Sequence, residues 1–449
     1  MFRLGFKGKY KTSRGYPTKR YPHFDKVIRF SEVKSYVRDP GKVAIHSFFP
    51  LIHYVIKSER CFRDPITARP KIKIKKRDIM YAAHLDGYIY RYYADRLNAA
   101  YDRMAAKFDI DSVAIAYRDN KSGMSNIQFA REVFSFIVSH PRCFIRVGDF
   151  EHFFDTLNHA YLKNQIKKVL KCELFPQDWY RVLQSVMRYS YIDREVIAPF
   201  YDKRSKHYFK SSKDYRKFRQ EHVGVIKKNQ KEYGIPQGTA LSGVLANIYM
   251  LDVDRKIQQI VQSYGGLYRR YSDDTIIVIP MTEETSMAEN SLDVKIQRWI
   301  DEAHLTEQKD KTKRFIYQDG VLCNDCNSGK KACIMDYLGF TFDGKIVKVR
   351  QKSIYKFERK ACAAIHHAAA IKKRKHLKKL PLRGAILRCY FPKGHKQGTH
   401  KSQSNFLTYL RRVTNDFRRE RLSCEPEQQV AKLKRKINNL YYRENKKET

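Results

Sequence analysis

The chain has 449 residues, enough for a large core and two or three domains, and its 42% hydrophobic content is ordinary for a globular protein. Charge is the outlier: 90 Lys and Arg stand against 47 Asp and Glu, a net +43, which implies a polyanionic partner and salt-dependent binding. No apolar run approaches the ~20 residues that span a bilayer, which excludes a helical membrane span; with no secretory signal evident, a cytoplasmic location is expected.

In chain order, residues 1–70 are basic and aromatic, with one apolar run from Val43 to Ile56, and are expected to form a loosely structured arm that packs on the body and contacts nucleic acid. Lys71-Ile72-Lys73-Ile74-Lys75 alternates like a half-exposed strand, and a long helix is predicted from Gly87 to Phe108. His84 and Asp86 at its start are expected to be a buried polar pair. A short strand from Cys143 to Val147 delivers Asp149 at its end, followed by the aromatic stretch Phe150 to Phe154. The segment 160–233 reads as an insertion. Its second half, Lys203 to Lys231, mixes cations with Tyr and Phe and is either a single-strand binding surface or a solvated charged loop. Gly234 to Met250 is a glycine-punctuated turn leading into a buried helix, and Gly265 to Pro280 is a β-hairpin with Asp273-Asp274 at its turn.

A polar linker and an amphipathic helix around Trp299 follow, then Lys311-Thr312 and Tyr337-Leu338-Gly339-Phe340. Beyond Lys345 the chain is helical and basic, with Lys372, Lys373, Arg374 and Lys375 in one run. The nine cysteines are odd in number and lack framework spacing, so they read as reduced thiols. Cys323, Cys326 and Cys333 are half of a zinc pattern whose second ligand pair is missing.

Adjacent carboxylates repel unless a cation sits on them, so Asp273-Asp274 alone is either a solvated acidic turn or a metal site. Three stretches together decide for metal. Asp149 followed by Phe154, then Pro236-Gln237-Gly238 with Ser242 and Leu245-Ala246-Asn247, then Tyr271-Ser272-Asp273-Asp274 resemble, in order, the motifs of the reverse transcriptases. The resemblance runs from Lys75 to Phe342. One departure is Ser242-Gly243, where the family usually carries Ser-Pro. Lys75 to Asp86, of the form Lys-x-Arg-x-Ile followed by Ala-x-His-x-Asp, is most similar to bacterial antiphage and abortive-infection members.

The resemblance implies an α+β right-hand polymerase: fingers at 71–148, a palm at 149–345 built on an antiparallel sheet backed by helices, and a basic helical thumb at 346–449. It implies two Mg²⁺ ions, with Mn²⁺ as a substitute, held by Asp149, Asp273, Asp274 and the Phe150 carbonyl. Lys311 takes the place of the lysine near the leaving pyrophosphate, a general acid. Arg77, Arg118 and Gln237 are candidate nucleotide contacts, with a solvated surface arginine as the other reading of Arg118. Phe154 is either the ring that excludes a 2′-hydroxyl or a core residue. Tyr271, Gly339 and the 372–375 run are assigned to primer and template, although that run also fits a solvated helix face. Expected partners are an RNA template, the DNA product, a dedicated non-coding RNA, and a partner protein or second copy. RNA-templated RNA synthesis and a catalytically silent nucleic-acid-binding palm are the competing functions.

Overall fold

The computed structural model describes residues 15–64, 67, 69–201, 207–209, 211–282, 289–324, 332–391, 405–418, 422–424 and 426–446. Strand β1 (Leu51–Arg63) pairs antiparallel with β2 (Pro70–Tyr81) along nearly its whole length, from Ile52↔Tyr81 to Arg63↔Pro70. β3 (Arg142–Asp149) comes next, then β4 (Ser190–Asp193) and the short β5 (Lys227–Lys228), which complete a sheet of order β2-β1-β4-β5. β6 (Leu267–Tyr271), β7 (Asp274–Pro280), β8 (Lys313–Gln318) and β9 (Val321–Asn324) join β3 in an antiparallel sheet of order β6-β7-β3-β8-β9. A third sheet holds β10 (Met335–Tyr337), β11 (Phe340–Phe342) and β12 (Val347–Val349).

The β3-centred sheet is the palm, and both its faces are covered. Phe144, Ile277 and Ile279 pack on one side against helices that include His84–Lys107, His159–Leu170 and Leu251–Ser263. Cys143, Ile145, Ile276 and Val278 pack on the other against helix Asn126–Val138, the β10–β12 sheet and the C-terminal helices. A strand buried on two faces has no polar side to alternate with, hence the unbroken Ile276-Ile277-Val278-Ile279. The C-terminal region is helical after β12, with long helices at Gln351–Arg374, Phe406–Arg418 and Ala431–Lys446. The expected right-hand α+β architecture is thus present. Arg359 of the first long C-terminal helix lies 3.8 Å from Glu59 on the β1–β2 ribbon, both side chains being exposed. No helix among the described residues is long and apolar enough to cross a membrane.

Three expectations are corrected. From Tyr16 onward the described part of the N-terminal segment is ordered structure, and a boundary at residue 70 would cut the β1–β2 hairpin. The Val43–Ile56 run is the end of a helix and the start of β1, whose outer half is too charged to announce itself. Asp25 accepts from the backbone of His84 and Leu85 and from His84 Nδ1, capping the long helix that lacks a cap of its own. His84 and Asp86 are buried, yet they do not pair with each other: Asp86 bonds His46 Nε2 at 2.8 Å. In the 203–231 stretch the rings of Tyr208, Phe209, Tyr215 and Phe218 are buried in a small core with Phe24, so they are not available to bases. Residues 203–206 and 210 of that stretch, and 1–14 of the arm, lie outside the described residues.

Candidate active site

β3 and the β6–β7 hairpin place the three carboxylates. Antiparallel register sets Asp149 opposite Asp274, and the Tyr271↔Asp274 pair closes a two-residue turn of Ser272 and Asp273. Ser272 adopts φ 61°, which this tight turn requires. The turn is held from below by Arg270, whose side chain is fully buried and donates to the Ser272 carbonyl at 3.0 Å, to Asn247 Oδ1 and to Asp254 at 2.6 Å. Tyr268 donates to the same carboxylate at 2.9 Å. Asp254 thereby neutralises Arg270, and the pair makes the turn rigid.

Just past β3, Glu151 N donates to the Thr306 carbonyl and Gln308 N to the Asp149 carbonyl. Ladder alternation turns the carbonyl of the intervening Phe150 to the opposite side, away from this neighbour. The same pairing brings Lys311 Nζ to 2.5 Å from Asp149 Oδ2. Burial, and then the charges of Asp273 and Asp149, push the Asp274 carboxyl up to about 6 against the opposing pull of Lys311 and Arg350. Asp273 is likewise raised, by burial first and Asp149 second, while hydrogen bonds to its carboxylate hold it back. Lys311 and Arg350 only partly offset the crowding of the three carboxylates.

Among the described residues no three His, Cys, Asp or Glu side chains close around one point. A hard cation of Mg²⁺ type does not need such a cage, because it takes one or two carboxylates and completes its shell with water and substrate phosphates. The all-oxygen donor set fits that ion. Cys323 and Cys333 are near each other but Cys326 lies outside the described residues, and burial raises the Cys333 thiol to about 11, which disfavours a thiolate ligand.

Beside the carboxylates lies a cleft of about 640 Å³ lined by Phe154, Gln237, Tyr271, Tyr117 and Gly243, among others. Phe153 belongs to the core at 3% exposure, whereas its neighbour Phe154 is half-buried and faces the cleft. The Phe154 carbonyl accepts from Ile235 N, and the Gln237 carbonyl accepts from Met80 N, so the Pro-Gln-Gly loop is tied to both the palm and β2. Arg77 is exposed on β2, on the same strand face as Ile79, which lines the cleft. Tyr271 is 37% exposed at the cleft edge.

Arg118 departs from expectation. Its side chain is fully buried, donating to Asp102 at 2.7 Å, to Asp111 at 2.5 Å and to the Ala114 carbonyl, with Tyr101 against its face. A fork already filled by two carboxylates does not reach triphosphate oxygens. Lys372 is also corrected: it is buried, and its Nζ donates to the carbonyls of Glu444 and Asn445, while Lys373, Arg374 and Lys375 are exposed. Gly339 sits with Leu338 in the turn between β10 and β11, at φ 92° and 44°, so backbone geometry by itself accounts for the glycine.

The Arg270–Asp254–Asn247 support and Tyr117 were not identified from sequence as functional. Arg270 and Asp254 meet across 16 positions through tertiary packing, which no local pattern announces.

A family model described as reverse transcriptase (RNA-dependent DNA polymerase) matches residues 117–342, just over half of the chain. No curated protein matches. Among solved structures, telomerase from Candida albicans in complex with a TWJ fragment of telomeric RNA shares 13% identity, covers 93% of this chain and 63% of its own, and gives a TM-score of 0.41. Apo telomerase from Candida tropicalis, truncated from its C-terminal domain, shares 12% over 66% of this chain and 56% of its own, with a TM-score of 0.40. The BmCPV RNA-dependent RNA polymerase at elongation state shares 9% over 74% and 26%, with a TM-score of 0.38. The chain spans less than two thirds of the length of each of these proteins.

Proposed function

The chain belongs to the reverse transcriptase family, and from that premise we propose that it is an RNA-directed DNA polymerase joining deoxynucleotides to a 3′-hydroxyl. The observation that carries this reading is the register of Asp149 opposite Asp274, with Asp273 at the turn and Lys311 on Asp149. Asp149, Asp273 and Asp274, with the Phe150 carbonyl, are the residues that would hold two Mg²⁺ ions. When bound, such ions lower the cost of ionising the attacking hydroxyl and stabilise charge on the leaving pyrophosphate.

The protein's own part is positioning and charge. Lys311, paired with Asp149 here, is the proposed general acid that gives a proton to the departing pyrophosphate once Asp149 is engaged elsewhere. Phe154 walls the sugar side of the cleft and excludes a 2′-hydroxyl, which favours DNA over RNA synthesis. Gln237 contacts the nucleotide, Arg77 approaches its phosphates from β2, and Tyr271 supports the primer end with the β10–β11 hairpin around Gly339. An RNA template, a DNA product, a dedicated non-coding RNA and a partner protein or second copy complete the proposal. Because Lys75 to Asp86 resemble the antiphage members, bacterial defence in the cytoplasm is the proposed setting.

The test is primer extension by the purified protein with dNTPs and NTPs compared. Asp273→Asn removes a charge at the half-buried hairpin turn and leaves the hydrophobic core alone. It is expected to cut incorporation to below a few per cent of wild type while template–primer binding persists. Retained incorporation would reject the two-metal assignment. Sequencing the nucleic acid that co-purifies identifies the template and any resident RNA.

A further inference from the structure

Tyr117 is an aromatic side chain held in an unfavourable place. Its backbone is left-handed at φ 59°, and the residue is 50% exposed, lining the cleft with Tyr271. A large side chain in that conformation persists only where its surroundings overrule the local preference, a condition that gathers at ligand clamps. Here both neighbours are anchored. The Ala116 carbonyl accepts from Asn247 Nδ2 at 2.9 Å, and Arg118 is tied to Asp102 and Asp111. Between two fixed residues, the left-handed turn throws the Tyr117 ring outward.

The ring lies on Gly243. A Cβ placed there would come within 2.6 Å of Tyr117 Cγ, 2.8 Å of Cδ1 and 3.0 Å of Cβ. Any side chain at 243 would displace the ring, which gives the departure from Ser-Pro a physical reason. Beyond Tyr117 the cleft continues. Arg118, Asp119, Gly238, Thr239 and Ala240 line both it and a second cleft of about 910 Å³, whose walls include Tyr16, Lys19 and Tyr88. That second cleft also carries Asp95, Asp102 and Asp119 on its walls, while the Tyr117 ring stands in the first, beside Phe154, Gln237 and Tyr271, as a flat surface suited to stacking an unpaired base.

Resting on the polymerase reading, we propose that Tyr117 is the platform on which the templating nucleobase stacks, with Gly243 making room for it and Asn247 and Arg118 as its mounts. Tyr117 is then a residue that sets accuracy.

The test uses the full chain on primed templates with each templating base. Tyr117→Ala is expected to lower kcat/KM for the correct dNTP about tenfold, within the range base–aromatic stacking supplies, and to raise misincorporation. Tyr117→Phe, which keeps the ring, recovers most of the loss. Gly243→Ala pushes the ring aside and reproduces the Tyr117→Ala defect, and the double variant is no worse than either. Tyr117→Gly, whose backbone accepts the left-handed angle, guards against a folding defect and is expected to match Tyr117→Ala in accuracy. A dideoxy-terminated primer with 2-aminopurine as the templating base reports stacking without chemistry, and its quenching on dNTP addition weakens in Tyr117→Ala. Wild-type accuracy and quenching in Tyr117→Ala, or additive losses in the double variant, overturn the platform alone. Absence of wild-type incorporation overturns the polymerase reading and the platform with it.

Discussion

At the scale of single residues, Phe153 and Phe154 are neighbours with different surroundings. Phe153 packs with Phe150 in the core, while Phe154 turns to the cleft. Phe154→Val is expected to raise the efficiency of a ribonucleotide relative to its deoxy counterpart by at least ~10-fold, about 1.4 kcal/mol of discrimination. The ratio of kcat/KM for rGTP and dGTP measures it, and an unchanged ratio returns Phe154 to a packing role. Arg270 makes a contrasting prediction. Its guanidinium is fully buried against Asp254, so Arg270→Met leaves a buried carboxylate without its partner and is expected to cost about 3–5 kcal/mol in chemical denaturation. It also frees the Ser272 carbonyl, so activity should fall further than that of a variant equally destabilised elsewhere.

At the scale of elements, the described N-terminal segment works as a clamp on the helix His84–Lys107. Tyr16 donates to Asp95, Tyr21 to the Ala82 carbonyl, and Asp25 caps the first turn. His23 is buried among these contacts. Its Nδ1 accepts from Phe24 N and its Nε2 faces the Tyr81 carbonyl, an arrangement that fits the neutral ring. Burial drives His23 down to about 3, opposed by Asp25 and assisted by His84. The unfolded chain takes up a proton near pH 6.5 and the folded one does not. Stability is therefore lost as pH falls from about 6.5 towards 3, and is fully present above. Between pH 7 and pH 5 the loss from His23 is about 2 kcal/mol. Asp25, held low chiefly by its bonds from His84 despite its burial, acts in the separate window below the usual carboxylate range. Urea unfolding at pH 5, 6 and 7 should show a midpoint that falls with pH in wild type and a flatter dependence in His23→Asn. Equal slopes would show that His23 takes up its proton at the same pH folded and unfolded, and would reject its burial as the neutral ring.

At the scale of the whole molecule, a net charge of +43 must be divided between cations that meet nucleic acid and cations that hold the protein together. The 372–375 run contains both kinds. Lys373, Arg374 and Lys375 are exposed at the C-terminal end of a long helix, while Lys372 fastens that helix to the last one. Neutralising the three exposed residues is expected to reduce the log–log salt slope of duplex binding by roughly 2–3 units, with little change in the rate on bound substrate. Lys372→Met is expected to lower stability and leave the slope alone. Filter binding across salt concentrations separates the two, and an unaltered slope in the triple variant would make this run a solvated face that only favours the helix C-terminus.

The sequence by itself determined whatever depends on residue type at short range. The Tyr271–Asp274 turn, the strand ending at Asp149, the alternating strand through Lys71–Lys75 and the apolar β7 follow from local sterics and hydrophobic period, and each lies where it was expected. The tertiary structure alone decided which charges and rings are spent inside the fold. Arg118 looked free to bind phosphate until Asp102 and Asp111 closed on it. Lys372 resembles its three neighbours in sequence, but its ammonium donates hydrogen bonds to carbonyls 72 and 73 positions away. The stretch holding Tyr208 to Phe218 fits either a base-stacking surface or a solvated loop by its composition, and packing with Phe24 makes its rings a small core instead. Tyr117 shows the converse, a ring left exposed because both its neighbours are anchored. Burial and ion pairing are made by groups distant in the chain, and a charge or a ring carries no local mark of the partner that will desolvate it.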